Sequence, residues 1–322
     1  MQYGIIPHVN KPVSRIFFGT AMPPILYGQD GSKWFEAALE SGINAFDTAR
    51  NYAYSEKSLG DWIRNRGCRD DLVILSKCGH PSDFGRKRVN PTDMRKDLEE
   101  SLRLLGVDYI DIYLLHRDDP EVPVGELVET FNTMHNDGLI GAFGASNWTH
   151  SRIQQANDYA KQHQLIPFVA SSPNFGLADQ IADPWGGGCV TISGPSNANA
   201  REWYRQTKMP IIAYSSLGRG FFSSRVKSNS PESAAQNLDS VAYKGYVCPE
   251  NFERLRRCEQ ISRMKGTTVT AVATKWIFSR GLNVFAVMSA SDTAHLADNV
   301  AALDLELSER EADYLDLVRD TL

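Results

Sequence analysis

Four polar side chains in this 322-residue chain each follow an apolar, strand-like run. Asp47 closes GINAFD, Tyr52 stands five residues later in DTARNY, Lys77 closes LVILSK, and His116 closes YIDIYLLH. A phenol is a poor acid at neutral pH, with a pKa of about 10. A neighbouring ammonium favours the phenolate and is expected to pull that value down. A carboxylate keeps the lysine charged, and a histidine can orient a carbonyl oxygen. Such a set delivers a proton to C=O or removes one from an alcohol. It supplies no electrons, so the chemistry demands a hydride donor. Taken singly, Asp47, Lys77 and His116 are more often structural strand ends than catalytic groups. Tyr54 competes with Tyr52, but it directly precedes SEKSLG and reads as a loop or substrate-side aromatic.

These residues meet only if the strands before them run parallel. Eight runs have strand character: Arg15–Ala21, Ile43–Asp47, Leu72–Lys77, Tyr109–His116, Ile140–Ser146, Pro167–Ser172, Pro210–Ser215 and Asn283–Met288. Helical patterns lie between them at Lys33–Ser41, Ser55–Arg66, Pro91–Leu105, Val124–Asp137, Ser151–Gln164 and Ser196–Thr207. Asn90-Pro91 reads as an N-cap followed by proline at the first helical position. Thr293 and Ser308 read as hydroxyl caps. Strands alternating with helices predict βαβ units. Eight units predict an α/β fold, a closed (β/α)8 TIM barrel, which typically takes about 250 residues. The excess falls in long loops of the C-terminal half, at Ala182–Pro195 and Phe222–Pro249. Gln2–Pro7 reads as half of a small hairpin over the barrel bottom. No linker divides the chain, so one domain over residues 1–322 is expected.

The net charge is −5 and the pI about 5.8, which argues against a nucleic-acid or anionic-membrane partner. Five cysteines with no CxxC pair fit reduced thiols in a cytoplasmic protein better than a disulfide framework. No signal peptide is evident, and no apolar run approaches the roughly 20 residues of a membrane helix. No HExxH or clustered ligand spacing points to a metal. The fingerprint GxGxxG is absent, because Ser223 follows Gly218 and Gly220 where a third glycine is needed. Self-association is left open.

FDTARNYAYSEKSLG, with Glu56 and Gly60, together with ILSKCG and DLEESLRLLGVDYIDIYLLHRDD, resembles the aldo-keto reductases over nearly the whole chain. The resemblance implies a catalytic tetrad of Asp47, Tyr52, Lys77 and His116, and NADP(H) or NAD(H) bound on the barrel rim. It implies that Ser146 and Asn147 hold the nicotinamide carboxamide and that Tyr214 stacks on the ring. Ser215, Leu217 and Gly218 would cradle the pyrophosphate, and Asn299 would meet the adenine. Asn174 stands where the family usually has a longer glutamine on the carboxamide. Around the 2′-phosphate position Ser289, Ala290, Ser291 and His295 replace the family's usual lysine or arginine, with Asp292 and Asp298 nearby. Arg225 or Lys227 would then supply the cation, and the choice between NAD and NADP stays open.

The substrate is expected to be a small carbonyl or alcohol compound, with a sugar or polyol fitting the aromatic candidates. Met22, Tyr27, Trp148 and Trp185 are the candidate pocket residues. The chain stops at Leu322 straight after a helical pattern, so no long C-terminal flap is expected, against a deep steroid-type pocket. Two other functions suit the same residues. One is a Schiff-base lyase using Lys77, and the other is a non-catalytic nicotinamide-binding regulatory subunit.

Overall fold

The computed structural model describes residues 1–185, 187–290 and 292–322. Its strands are β1 (Tyr3–Gly4), β2 (Val13–Ser14), β3 (Ile16–Gly19), β4 (Ala45–Asp47), β5 (Val73–Cys78), β6 (Ile110–Leu115), β7 (Ile140–Ser146), β8 (Ala170–Ser172), β9 (Ile211–Ala213) and β10 (Val284–Met288). β3 to β10 form a closed barrel in the order β10-β3-β4-β5-β6-β7-β8-β9. All eight expected strands are present, and β7 matches its expected span at both ends. β8 and β9 begin after Pro167 and Pro210, consistent with the missing proline N–H that a ladder needs.

Contacts cluster in two compact units, Met1–Ser172 with Ser289–Thr293, and Pro173–Met288 with Ala294–Leu322. In the first unit β3 to β8 pair in parallel, with Gly19 opposite Asp47, Asp47 opposite Leu75, and Lys77 opposite Leu114. β4, β5, β6 and β7 are buried along their whole length. This is why they read as continuous apolar runs rather than alternating ones. Phe18, Phe35, Phe46 and Trp62 pack ring against ring outside the first strands, with centroids 5.4 to 6.0 Å apart. The early hairpin also forms, as β1 pairs antiparallel with β2. Ser14 on β2 donates from its N–H to Asn44 Oδ1 at 2.9 Å, tying the hairpin to the residue before β4.

In the second unit, the expected insertion Phe222–Pro249 contains two short helices, Glu232–Asn237 and Ser240–Tyr246. Two longer helices follow at Pro249–Lys265 and Val269–Phe278, the second of them packing Trp276 on Phe175. The caps at Asn90 and Ser308 form, the latter as a full capping box with Glu311. Among the described residues no helix is long and apolar enough to cross a membrane.

Gly60 sits inside the helix Ser55–Arg66, where this helix crosses the end of Pro91–Leu105. A Cβ at this position would lie 2.6 Å from the Leu104 carbonyl oxygen and closer still to that of Leu105. Backbone cannot yield as a flexible side chain does. Gly60→Ala is therefore expected to lower unfolding stability by about 1–3 kcal/mol, the usual range for overpacking. A urea titration checks this, and an unchanged midpoint would contradict the close packing.

Candidate active site

Parallel pairing brings the C-terminal ends of β4 to β7 together, and the four chemically capable residues stand there. Lys77 Nζ donates to Asp47 Oδ1 at 2.7 Å and to the Thr48 carbonyl at 2.8 Å. Both side chains of this ion pair are buried. The same ammonium lies 5.0 Å from the Tyr52 ring centroid. The Tyr52 ring meets the His116 ring edge-on at 5.5 Å. His116 is anchored by its N–H, which donates to the Cys78 carbonyl at 2.7 Å.

Tyr52 is on a loop, so something must hold that loop. Arg50 N–H donates to the Lys77 carbonyl at 3.1 Å, and Ser55 N–H donates to the Tyr52 carbonyl at 2.8 Å. The Ser55 hydroxyl bridges Thr20 Oγ1 at 2.5 Å and Thr48 Oγ1 at 2.8 Å. One buried hydroxyl chain thus joins the end of β3, the loop after β4 and the helix that follows. Glu56, next in sequence, accepts from Ser76 Oγ at 2.6 Å and braces the residue beside Lys77.

The electrostatics differ from expectation at one point. Tyr52 keeps some surface exposed, but burial around the phenol raises it above its ordinary value; Lys77 pulls it down without winning, and Asp47 adds to the rise. The expected acidified phenol is therefore corrected to a fully protonated one. Asp47 lies against Lys77, so the phenol feels a nearly neutral pair instead of a bare ammonium. Burial works to lower Lys77, yet Asp47 and Tyr52 together raise it, so the amine stays charged. For Asp47, burial raises the carboxyl and Lys77 opposes it; the 2.7 Å contact favours the ionised pair. His116 falls well below the usual histidine range through burial first, then Lys77 and Arg117. Its Nδ1 is buried with no hydrogen-bond partner among the described residues. His116 is a neutral imidazole.

On β7 and just beyond it, Ser146 Oγ donates to the Ser172 carbonyl at 2.8 Å, and Asn147 Nδ2 to the His116 carbonyl at 3.1 Å. Asn147 has a left-handed backbone, φ 60°. Trp148 has no exposed surface: it packs on Phe168, and its Nε1 donates to the Arg117 carbonyl. It supports the site from behind, which corrects its expected place on the pocket lining. Met22 is buried, whereas Tyr27 is largely exposed. Tyr54 is also exposed, its ring beneath Gly28, as a loop aromatic would be. Ser289 lies exposed after β10.

In the second unit Asn174 Nδ2 donates to the Tyr214 carbonyl at 3.2 Å and to Tyr246 Oη at 3.0 Å. Its Oδ1 accepts from Thr191 at 2.8 Å. Both amide hydrogens are used inside the protein, so Asn174 holds the strand end of Tyr214 and does not offer a free amide. Trp185 meets Tyr214 edge-on at 6.0 Å. Ser215, Gly218, Arg219 and Gly220 all have positive φ. Leu217 precedes a 3-10 turn, Gly218–Gly220. Arg225 is exposed, and a Cβ on Gly220 would meet its Nη2 at 3.0 Å. His295 is exposed and Asn299 buried, while Ser291 lies outside the described residues. Three supporting residues escaped the sequence reading. Tyr246 comes from a helix within an expected loop, with no signal to mark it. His80 and Arg117 directly follow the lysine and histidine motifs, and that adjacency was the available clue.

A neutral His116 has a thermodynamic signature. Its folded value is depressed below the ordinary 6.5, so as pH falls through about 6.5 the unfolded chain takes up a proton that the native chain refuses. Stability is lost on the acid side. Between about pH 7.5 and 5.5 the parent is expected to lose roughly 1 kcal/mol more than His116→Gln. Urea titrations of the two proteins measure this, and equal losses would show that His116 charges normally.

The family model described as the Aldo/keto reductase family matches residues 15–320. A Schizosaccharomyces pombe protein provisionally named as a voltage-gated potassium channel subunit beta is 26% identical, covering 87% of this chain and 82% of its own length. An NADP(+) aldo-keto reductase of the same organism is 24% identical, over 93% and 86% respectively. The crystal structure of the thermostable aldo-keto reductase Tm1743, in complex with epalrestat, superposes with a TM-score of 0.73 over 99% of this chain and 100% of that one, at 23% identity. With the eight-stranded parallel barrel and a family match across almost its entire length, the chain belongs to the aldo/keto reductase family.

Proposed function

We propose that the protein is an NAD(P)H-dependent reductase of an aldehyde or ketone, one catalytic domain in which Tyr52 delivers the proton. The observation that carries this reading is the buried Lys77 ammonium, 2.7 Å from Asp47 and 5.0 Å from the Tyr52 ring. The phenol is protonated in the resting protein and so is ready to give its proton to a carbonyl oxygen. Lys77 stabilises the phenolate left behind, and Asp47 keeps Lys77 charged. Neutral His116 orients the carbonyl without competing as an acid.

The residues present fit a nicotinamide dinucleotide. Ser215, Gly218, Arg219 and Gly220, four left-handed residues in one turn, form the kind of backbone that gathers N–H groups around an anion, and the Arg225 guanidinium lies against Gly220. When bound, the nicotinamide supplies the hydride. Ser146 and Asn147 hold its carboxamide, and Tyr214, held in turn by Asn174, stacks on the ring. Ser215, Leu217 and Gly218 take the pyrophosphate and Asn299 the adenine. Ser289 and His295 would meet the ribose phosphate, with Arg225 as the cation. Met22, Tyr27 and Trp185 border the substrate.

A Schiff-base lyase needs an unprotonated amine at Lys77, and the ion pair with Asp47 opposes that. Similarity to a protein named as a channel subunit favours a second reading, a nicotinamide-binding regulator without turnover. Tyr52→Phe distinguishes the two readings. Carbonyl reduction is expected to fall by about 10²–10⁴-fold, the usual share of general acid help, with NADPH affinity nearly unchanged. Steady-state rates and a fluorescence titration measure both quantities. Full activity in the variant would remove Tyr52 from the reaction, and a parent that binds NADPH but turns over no carbonyl substrate would favour the regulator.

A further inference from the structure

The loops that follow β4 to β7 are dense in charge, and nearly every charge is matched. Arg50 pairs with Glu100, Arg86 with Asp93, and Arg88 with Asp93 and Asp97. Lys87 reaches Asp119 and Glu121, and Arg152 reaches Asp118. These pairs use both carboxylates of the HRDD segment. Among the described residues Arg117 has no carboxylate within ion-pair distance. Its guanidinium hydrogen bond goes to the carbonyl of its neighbour His116 at 3.3 Å.

Arg117 is not on a slack loop. Its carbonyl accepts from Trp148 Nε1 at 3.2 Å, and the preceding carbonyl accepts from Asn147. The side chain is half-buried. It stands beside a row of rings, Tyr52 5.5 Å from His116 and His116 5.0 Å from His80. Its charge acts on all three. His80 Nδ1 lies 2.9 Å from the Pro81 carbonyl, which can only accept, so Nδ1 carries the hydrogen. Burial holds His80 below the usual histidine range, so it adds no second positive charge. A half-buried guanidinium without a counter-ion is poised for a planar oxyanion. One unmatched positive charge suits a monoanion better than a phosphate dianion.

We propose that Arg117 is the anion-binding residue of this site and that the substrate is an aldehyde or ketone carrying a carboxylate, which Arg117 pairs while the C=O faces Tyr52. The proposal rests on the reductase reading. The carbonyl carbon gains a hydride from NAD(P)H, which leaves as NAD(P)+, the oxygen takes the Tyr52 proton, and the carboxylate is unchanged.

The test compares 4-carboxybenzaldehyde with benzaldehyde, using NADPH and the parent, Arg117→Met and Arg117→Lys proteins. The parent is expected to favour the carboxylated aldehyde by about tenfold or more in kcat/KM. Arg117→Met brings the ratio near one, chiefly through KM, and Arg117→Lys restores part of it. A ratio near one in the parent overturns the proposal. So does an equal loss on both aldehydes in Arg117→Met, the mark of a residue that only tunes Tyr52. Should no aldehyde be turned over, the reductase reading fails separately. Benzoate binding by saturation-transfer NMR then decides: binding lost in Arg117→Met supports the anion site, and no binding to the parent overturns it.

Discussion

The buried ion pair between Lys77 and Asp47 is the interaction on which the rest of the site depends. Removing two charges from water costs several kcal/mol each, and their attraction repays this only when remaining donors and acceptors are met. Here the second Lys77 hydrogen bond goes to the Thr48 carbonyl, and the Tyr52 ring lies alongside the ammonium. Deleting one partner would strand a buried charge, typically at a cost of about 3–5 kcal/mol. The pair therefore demands a rigid frame. The parallel ladder provides it by placing Asp47 beside Leu75, two residues before Lys77.

The same pair changes what the tyrosine is. A lone ammonium would acidify a nearby phenol, but an ammonium already matched by a carboxylate exerts a much weaker field. Burial then dominates, and the phenol rests protonated. The tuning expected of a general acid is consequently not present in the ground state. On the proposed reading, Lys77 would contribute when negative charge develops on the phenol oxygen, an interaction made in the transition state rather than before it.

The barrel was legible because its strands are buried on both sides and read as unbroken apolar runs between capped helices. Asp47, Lys77 and His116 were legible for a related reason, as each stands at the C-terminal end of such a run. Residues whose role is fixed by tertiary contact were not. Trp148 looks like a loop aromatic, but it is sealed against Phe168. Asn174 looks like a shortened cofactor ligand, but Tyr246 and Thr191 occupy its amide, and Tyr246 comes from 72 residues away. Arg117 could be read as charged, though not as unmatched, because that depends on which cations take Asp118 and Asp119. A single sequence carries charges, whereas pairing belongs to the fold.

The central claim is that Lys77 and Asp47 act as one unit in carbonyl reduction. A double-mutant cycle of Lys77→Met and Asp47→Asn, read as kcat for one aldehyde with saturating NADPH, tests it directly. The account predicts strong non-additivity, with the double variant no slower than the slower single variant within about threefold. Losses that multiply, each substitution costing the same with or without the other, would contradict it.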